Sequence, residues 1–344
     1  MRSRPIKRLT VCGDNECKSF VRVRILRYLL ADLSEMARKG RFKIWAEYTS
    51  LRMLLWFVRF LPTRTAVSLC MATARLAFRV LGDRLQSGIR NLEIAFPEMG
   101  DDERKRVLRC SIESIGRTVA EFANFDPATA EASRETIRFD FDSDEFRAYK
   151  KAKGEGRGVL MPTAHIGNWE VLLSGFALQY EPIYFTAREL DNPPIDKMFA
   201  ERRVKFGSRQ FYKSDSAKAA LKALRAGDSV GVLPDVNVHP KEGVFVPFFD
   251  HPACTTSGVA RLAIHANALI FPMFAIWDES EKRYVVYNGQ PIEPSNTGDR
   301  EHDVVETTAA YTAEIEKIIR RFPEQWLWIH RRWKTQPPGH PGLY

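Results

Sequence analysis

Between about residues 136 and 321, apolar runs of strand length alternate with segments of helical period, and this alternation constrains the fold more than any other feature. "ETIRFDF" reads as a strand, "SDEFRAYKKAKG" as a helix stopped by glycine, and "GRGVLMPTA" as a buried strand. A helix from about Trp169, a strand at "PIYFTA", the helix "DSAKAALKALRAG" ending at Gly227, and the strand "SVGVLP" follow. Next come "GVFVPFF", a helix around "SGVARLAIHAN", the strands "ALIFPMFAIW" and "RYVVYNG", and a last helix over about 301–321. The predicted class is therefore α/β, a central sheet flanked by helices on both faces. A mixed sheet is expected, because only the short polar turn "DESEK" joins "ALIFPMFAIW" to "RYVVYNG".

Upstream of about residue 135 the chain reads as helical. After a turn at Pro97–Gly100 the acidic run Asp101–Glu103 opens a helix, along which Leu108, Ile112, Ile115, Val119 and Phe122 form an apolar stripe. Residues 49–82 are the most membrane-like stretch, yet their longest run free of charge is Thr65–Ala74, short of the roughly 20 residues that span a bilayer. Pro62 divides them, and Arg52 with Arg59, then Arg75 with Arg79, each share one helix face. Two amphipathic helices in a membrane interface are expected, with arginines toward headgroups and Trp56, Phe57 and Phe60 on the apolar side. Surface helices packed on the core are the plainer alternative. The expected organisation is a basic extension over 1–48, a helical membrane-interface segment over 49–135, a catalytic core over 136–335 and a tail over 336–344.

Charge adds a partner class. Residues 1–48 hold 12 Lys/Arg against 5 Asp/Glu, most of the chain's net +9. Such a segment favours an anionic membrane surface, nucleic acid or an acidic protein, or is simply solvated. No apolar h-region follows the basic start, so no secretory signal is evident. Five scattered cysteines without a C-x-x-C argue against a disulfide frame or thiolate zinc site. Repeats and low-complexity tracts are missing, which excludes solenoids.

The chemistry concentrates at "AHIGNWE". The strand "GVLMPTA" delivers His165 to its carboxyl end, where open α/β sheets place their sites. Glu170 falls in the first turn of the next helix, where a carboxylate can hold one imidazole nitrogen and leave the other to accept a proton. Gly167 permits a sharp turn and close approach to a ligand, and the amides at the helix start can meet an oxyanion. A buried structural histidine beside a glutamate at a helix start is the competing reading. "GEGRG" at 154–158 precedes a strand, so it reads as a turn and not as a phosphate loop. No G-x-S-x-G is present, which leaves a serine-hydrolase elbow unsupported. His165 and Glu170 with His239 or Asp235 form a conceivable metal set whose spacing demands no metal. His265 fits a satisfied core residue, and "EQWLWIHRRWK" fits either an interfacial belt or packed core.

Taken in order, "NLEIAFPE", "AHIGNWE", "ARELDNPPID", "GVFVPFFDHPACTTSGVARLA" and "FPEQWLWIHRRWK" resemble the bacterial lipid A biosynthesis late acyltransferases, the lauroyl/myristoyl transferase family within the lysophospholipid acyltransferase-like enzymes. The resemblance spans about residues 45–335. It implies a glycerolipid/lysophospholipid acyltransferase-like fold and transfer of a fatty acyl chain from acyl carrier protein to a hydroxyl of a lipid A precursor. The cytoplasmic face of the bacterial inner membrane is the place it implies.

By position, His165 matches the family's catalytic histidine and Glu170 its acidic partner. Arg188, with Asn192 and Asp196, matches a phosphate- or headgroup-binding block, a role suited to the planar guanidinium fork. Gly167 and Asn168 join the substrate-binding set. So do Gly243 and Pro247, within a Gly243–Phe249 block that shapes a lipid or acyl groove. Family members commonly carry Asp-Gln where this chain has Asp235–Val236–Asn237. No metal or nucleotide cofactor is expected, because the thioester is already activated and the acceptor can attack directly. Nucleic acid is not an expected partner. The alternatives keep the chemistry and change the acceptor to another glycolipid, an amino lipid or a lysophospholipid, with acyl-CoA as donor. A non-catalytic basic protein binding lipid or nucleic acid is the rival from another class.

Overall fold

Helices come first among the described residues, as their apolar periodicity requires. A computed structural model describes residues 40–78, 82–187, 189–212 and 216–344. α1 (Arg41–Phe60) and α2 (Thr63–Phe78) part at Pro62, whose carbonyl accepts the first bond of α2 from Ala66 N at 3.0 Å. Trp56, Phe57 and Phe60 on α1, and Leu69 and Leu76 on α2, are exposed. Arg59 meets Asp126 at 3.2 Å and Arg75 meets Glu113 at 3.6 Å, so these two arginines face carboxylates of the protein itself. Among the described residues no helix is long and apolar enough to cross a membrane.

α3 (Gly82–Ala95) leads through the turn at Pro97 into α4 (Asp101–Asn124), whose first turn carries Asp101, Asp102 and Glu103 against the helix dipole. Of the apolar stripe, Leu108, Ile112 and Phe122 are buried, but Val119 is 38% exposed. A second face of α4 is buried instead. A Cβ on Gly116 would stand 2.7 Å from the carbonyl oxygen of Cys70, so α2 and α4 touch backbone to backbone.

The alternating region follows as α5 (Ala130–Arg134), β1 (Ile137–Arg138), α6 (Asp144–Gly154), β2 (Val159–Pro162), α7 (Trp169–Gln179), β3 (Tyr184–Ala187), α8 (Pro193–Arg203), β4 (Arg209–Tyr212), α9 (Ser216–Arg225) and β5 (Ser229–Val232). Then come β6 (Gly243–Phe248), β7 (His251–Thr256), α10 (Gly258–Ala266), β8 (Leu269–Ile270), β9 (Met273–Asp278), β10 (Arg283–Asn288) and α11 (Arg300–Arg321). Five strands make one wholly parallel sheet in the order β4-β3-β5-β2-β8. The alternation along β2 covers both faces: Leu160 enters one core cluster, Val159 and Met161 the other.

The expected single mixed sheet is corrected here. "ALIFPMFAIW" breaks at Pro272, which has no N–H to continue a ladder. Leu269 and Ile270 pair with β2, while Met273–Asp278 pair antiparallel with β10 in a separate three-stranded sheet, β1-β10-β9. β4 and α8 escaped the sequence reading. β4 is a polar and aromatic edge strand, and α8 buries no residue that would mark an apolar stripe. The Trp-rich end is core: Trp326, Trp328 and Trp333 are each at most 1% exposed.

The described residues divide into two compact units, a small one of 40–53 with 190–198 and a main one made of the other described residues between 54 and 344. Within the small unit Asn192 Nδ2 donates to the Ile44 carbonyl at 2.9 Å and to Glu47 Oε2 at 3.0 Å. Asp196 Oδ1 there accepts from Leu190 N at 3.0 Å.

Candidate active site

β2 and β5 lie side by side and parallel, so the loops leaving their carboxyl ends meet. One loop carries His165 and the other Asp235. Asp235 Oδ1 stands 2.8 Å from His165 Nδ1, while its Oδ2 accepts from His165 N at 2.8 Å and from Trp326 Nε1 at 2.9 Å. The carboxylate is buried, and three donors hold it ionised; despite its burial, its pKa is driven below the usual range by His165 and these bonds. Burial alone would lower the imidazole pKa. The charge and hydrogen bond of Asp235 outweigh it, so His165 titrates above the ordinary histidine value. With Nδ1 donating to Asp235, Nε2 is the proton acceptor. The Trp169 ring flanks the imidazole at 5.0 Å between centroids.

Glu170 does not fill the place expected for it. Its carboxylate takes a bidentate pair from Arg203, with Nε to Oε2 at 2.9 Å and Nη2 to Oε1. The carboxylate facing the His165 ring is Asp235, because the parallel sheet brings β5 directly beside β2, whereas α7 turns Glu170 toward the end of α8. Both carboxylates still act on the histidine electrostatically, Asp235 the more strongly.

Gly167 has φ +55°, the left-handed conformation expected of a turn glycine, but its open face is filled by protein. A Cβ there would lie 1.9 Å from the Ala275 carbonyl oxygen, so the close approach is to β9 and not to a ligand. Asn168 is fully buried and caps α7, its Oδ1 accepting from Val171 N at 3.0 Å. The N–H groups of His165, Gly167 and Asn168 are taken by Asp235, the Gln325 carbonyl and the Ala275 carbonyl. Those of Trp169 and Glu170, in the first helical turn, lie outside the intrahelical ladder.

Gly243 and Pro247 sit on the β6–β7 hairpin, Gly243 opposite Thr256 and Pro247, exposed, opposite Pro252. A Cβ on Gly243 would meet the Thr255 carbonyl at 2.6 Å, which accounts for the glycine by packing. Arg188 lies outside the described residues. His265 is exposed rather than core; its Nδ1 meets the Arg261 carbonyl at 2.5 Å and its Nε2 meets Arg300 at 2.6 Å.

Beside Asp235 a cavity of about 280 Å³ opens at the carboxyl ends of β3 and β5, lined by Ala187, Ala220, Leu233, Pro234, Val259 and Leu262 among others. Small residues from α9 and α10 leave that space, and its lining is predominantly apolar, with Thr186 and Thr256 the polar members. On the far side of Asp235, Asn237 N donates to His330 Nε2 at 2.9 Å, and burial pushes His330 down to about 4, so it stays neutral. Asp235 and Arg203 are the site residues that sequence reasoning missed in these roles. Asp235 follows the apolar run "SVGVLP" just as His165 follows "GVLMPTA", a readable parallel; nothing in "AERRVKFG" marks Arg203.

Residues 37–335 match the family described as bacterial lipid A biosynthesis acyltransferase. The chain is 32% identical over 296 residues to the lipid A biosynthesis lauroyltransferase of Escherichia coli (strain K12), covering 85% of this chain and 92% of that protein. It is 27% identical over 307 residues to the palmitoleoyltransferase of the same organism, covering 88% and 95%, and 24% identical over 267 residues to its myristoyltransferase, covering 77% and 80%. The protein is therefore an acyltransferase. It belongs to the bacterial lipid A biosynthesis acyltransferase family.

Proposed function

We propose that the protein moves a fatty acyl chain from acyl carrier protein to a hydroxyl of a lipid A precursor in one direct displacement, with His165 as general base. The hydrogen bond of His165 Nδ1 to the buried Asp235 carries this reading. Asp235 fixes the tautomer, so Nε2 takes the proton of the acceptor hydroxyl as its oxygen bonds to the thioester carbonyl carbon. The carbon–sulfur bond then breaks, and the imidazolium returns its proton to the departing thiolate. The oxyanion formed between these steps would meet the first-turn amides of Trp169 and Glu170.

Glu170 keeps a role through Arg203, holding that guanidinium at the site's edge; the pair is largely shielded from water, which strengthens its field. Arg188 is the proposed phosphate grip on the acceptor. Asn192 and Asp196 shape their own segment, where their side chains bond the backbone at Ile44 and Leu190. The apolar cavity beside Asp235 would take the acyl chain, leaving its carbonyl carbon at His165.

Association with the cytoplasmic face of the inner membrane would be peripheral, through the exposed aromatic residues of α1 and the apolar residues of α2. The test is mass spectrometry of purified protein incubated with acyl carrier protein thioester and lipid A precursor. An acceptor heavier by one acyl group supports the reading. Transfer only from acyl-CoA would overturn the donor, and thioester persisting with every acceptor would overturn catalysis.

A further inference from the structure

The loop that carries His165 has every backbone hydrogen-bonding group of His165, Gly167 and Asn168 engaged. The His165 carbonyl accepts from Leu327 N at 3.0 Å, the Gly167 carbonyl from Thr118 Oγ1 at 2.9 Å, and the Asn168 carbonyl from Leu172 N at 3.0 Å. Beneath it runs a closed circuit of side chains. Asn168 Nδ2 donates to Glu121 Oε2 at 3.2 Å, and Glu121 Oε1 faces Arg117 Nη1 at 3.8 Å. Arg117 lies over the Trp277 ring at 3.7 Å. Gln325 brackets the Trp277 backbone, accepting from its N at 2.9 Å and donating to its carbonyl at 3.0 Å. The Gln325 carbonyl closes the circuit by accepting from Gly167 N at 3.0 Å.

Glu121 and Asn168 are its buried keystones. Asn168 Oδ1 is committed to capping Val171, so only its amide NH₂ can face α4, and it needs an acceptor there. We propose that Glu121, with Thr118, is a positioning residue: α4 clamps the His165–Asn168 loop from below and so fixes His165 on Asp235. The proposal rests on His165 being the base. It assigns Glu121 no contact with substrate.

Burial raises the Glu121 carboxyl to about 7, with Tyr284, Arg117 and Asn168 only partly opposing it. The group thus titrates near cellular pH, with its neutral and ionised forms both populated, and a glutamine of the same shape supplies the same acceptor. Without an acceptor, the cap and the start of α7 shift. A displacement of about 1 Å at a reacting group is enough to lower a rate about 10²-fold.

The experiment compares Glu121→Ala, Glu121→Gln and Thr118→Val in the full chain by steady-state kinetics and by hydrogen exchange of the peptide over 163–172. Glu121→Ala should lower kcat about 10- to 100-fold with KM for both substrates within about twofold, and should speed exchange in that peptide alone. Glu121→Gln should restore most of kcat and the slow exchange. Thr118→Val, which removes the Gly167 bond together with the bond to the Ser114 carbonyl one turn back on α4, should fall between. A folded Glu121→Ala with kcat within about twofold of the parent would overturn the proposal, and so would a loss expressed in KM, which marks substrate contact. Glutamine as damaging as alanine would overturn it too, by showing that charge matters and not shape. Should the alanine variant fail to fold, Thr118→Val with parental kcat and parental exchange would overturn the clamp in its place. The exchange measurement needs no substrate, so an inactive parent would reject the acyl-transfer reading while still reporting on the clamp.

Discussion

Asp235→Asn separates the two carboxylates near His165. Oδ2 of Asp235 receives two donors, His165 N and Trp326 Nε1, and Oδ1 receives one, His165 Nδ1. An asparagine must place its single carbonyl oxygen where two donors converge, which turns its NH₂ toward Nδ1. That nitrogen can answer only by accepting, so the ring proton moves to Nε2 and the base is lost. A wrong tautomer of this origin costs about 10⁴ in kcat, or about 5.4 kcal/mol at 1.36 kcal/mol per decade. The pH profile supplies an independent reading. The base must be neutral, so the rate rises as pH passes the His165 pKa, and the Asp235 charge places that limb above the ordinary histidine value. With the charge removed, burial dominates and the limb should move to lower pH. Glu170→Gln should move it the same way by less, since Glu170 acts on His165 more weakly than Asp235 does. The assay is acyl transfer followed by mass spectrometry across pH, with circular dichroism confirming folded variants. An Asp235→Asn enzyme retaining more than about a tenth of the parental rate refutes the argument, as does a limb that moves further in Glu170→Gln.

Two further outcomes are expected. Leu262→Trp fills the cavity beside Asp235 from half-buried α10 and should shift selectivity toward shorter acyl donors by about tenfold or more in kcat/KM, a difference of about 1.4 kcal/mol; equal selectivity would place the chain elsewhere. Replacing Trp56 and Phe60 by serine should weaken sedimentation with anionic vesicles about tenfold or more, since burying one such side chain is worth roughly 1.5–3 kcal/mol. Unchanged partitioning would remove α1 from the interface.

Local chemistry was legible and adjacency was not. The apolar run ending at Pro162 placed His165 at a strand's carboxyl end, and the acidic run at Asp101 placed the start of α4. Neither spacing nor pattern could pair His165 with Asp235, 70 positions away, because that contact depends on β5 lying next to β2. Glu170 illustrates the same limit: one helical turn fixes where it begins, but its partner Arg203 arrives on α8, a helix without a buried stripe to announce it. Gly167 was readable as a turn, but what its missing side chain makes room for was not, since the Ala275 carbonyl comes from a different sheet. His265 misled because its apolar neighbours suggest core, while its place at the end of α10 leaves the imidazole outside.

The measurement that bears most directly on the account is the single-turnover rate of His165→Ala with acyl carrier protein thioester and lipid A precursor. An unassisted hydroxyl attacks a thioester poorly at neutral pH, and a positioned general base contributes about 10²–10⁴-fold. The variant should bind both substrates, fold as the parent does, and transfer the acyl group slower by that factor. A folded His165→Ala enzyme working at more than about a tenth of the parental rate would contradict the assignment of His165 as the base.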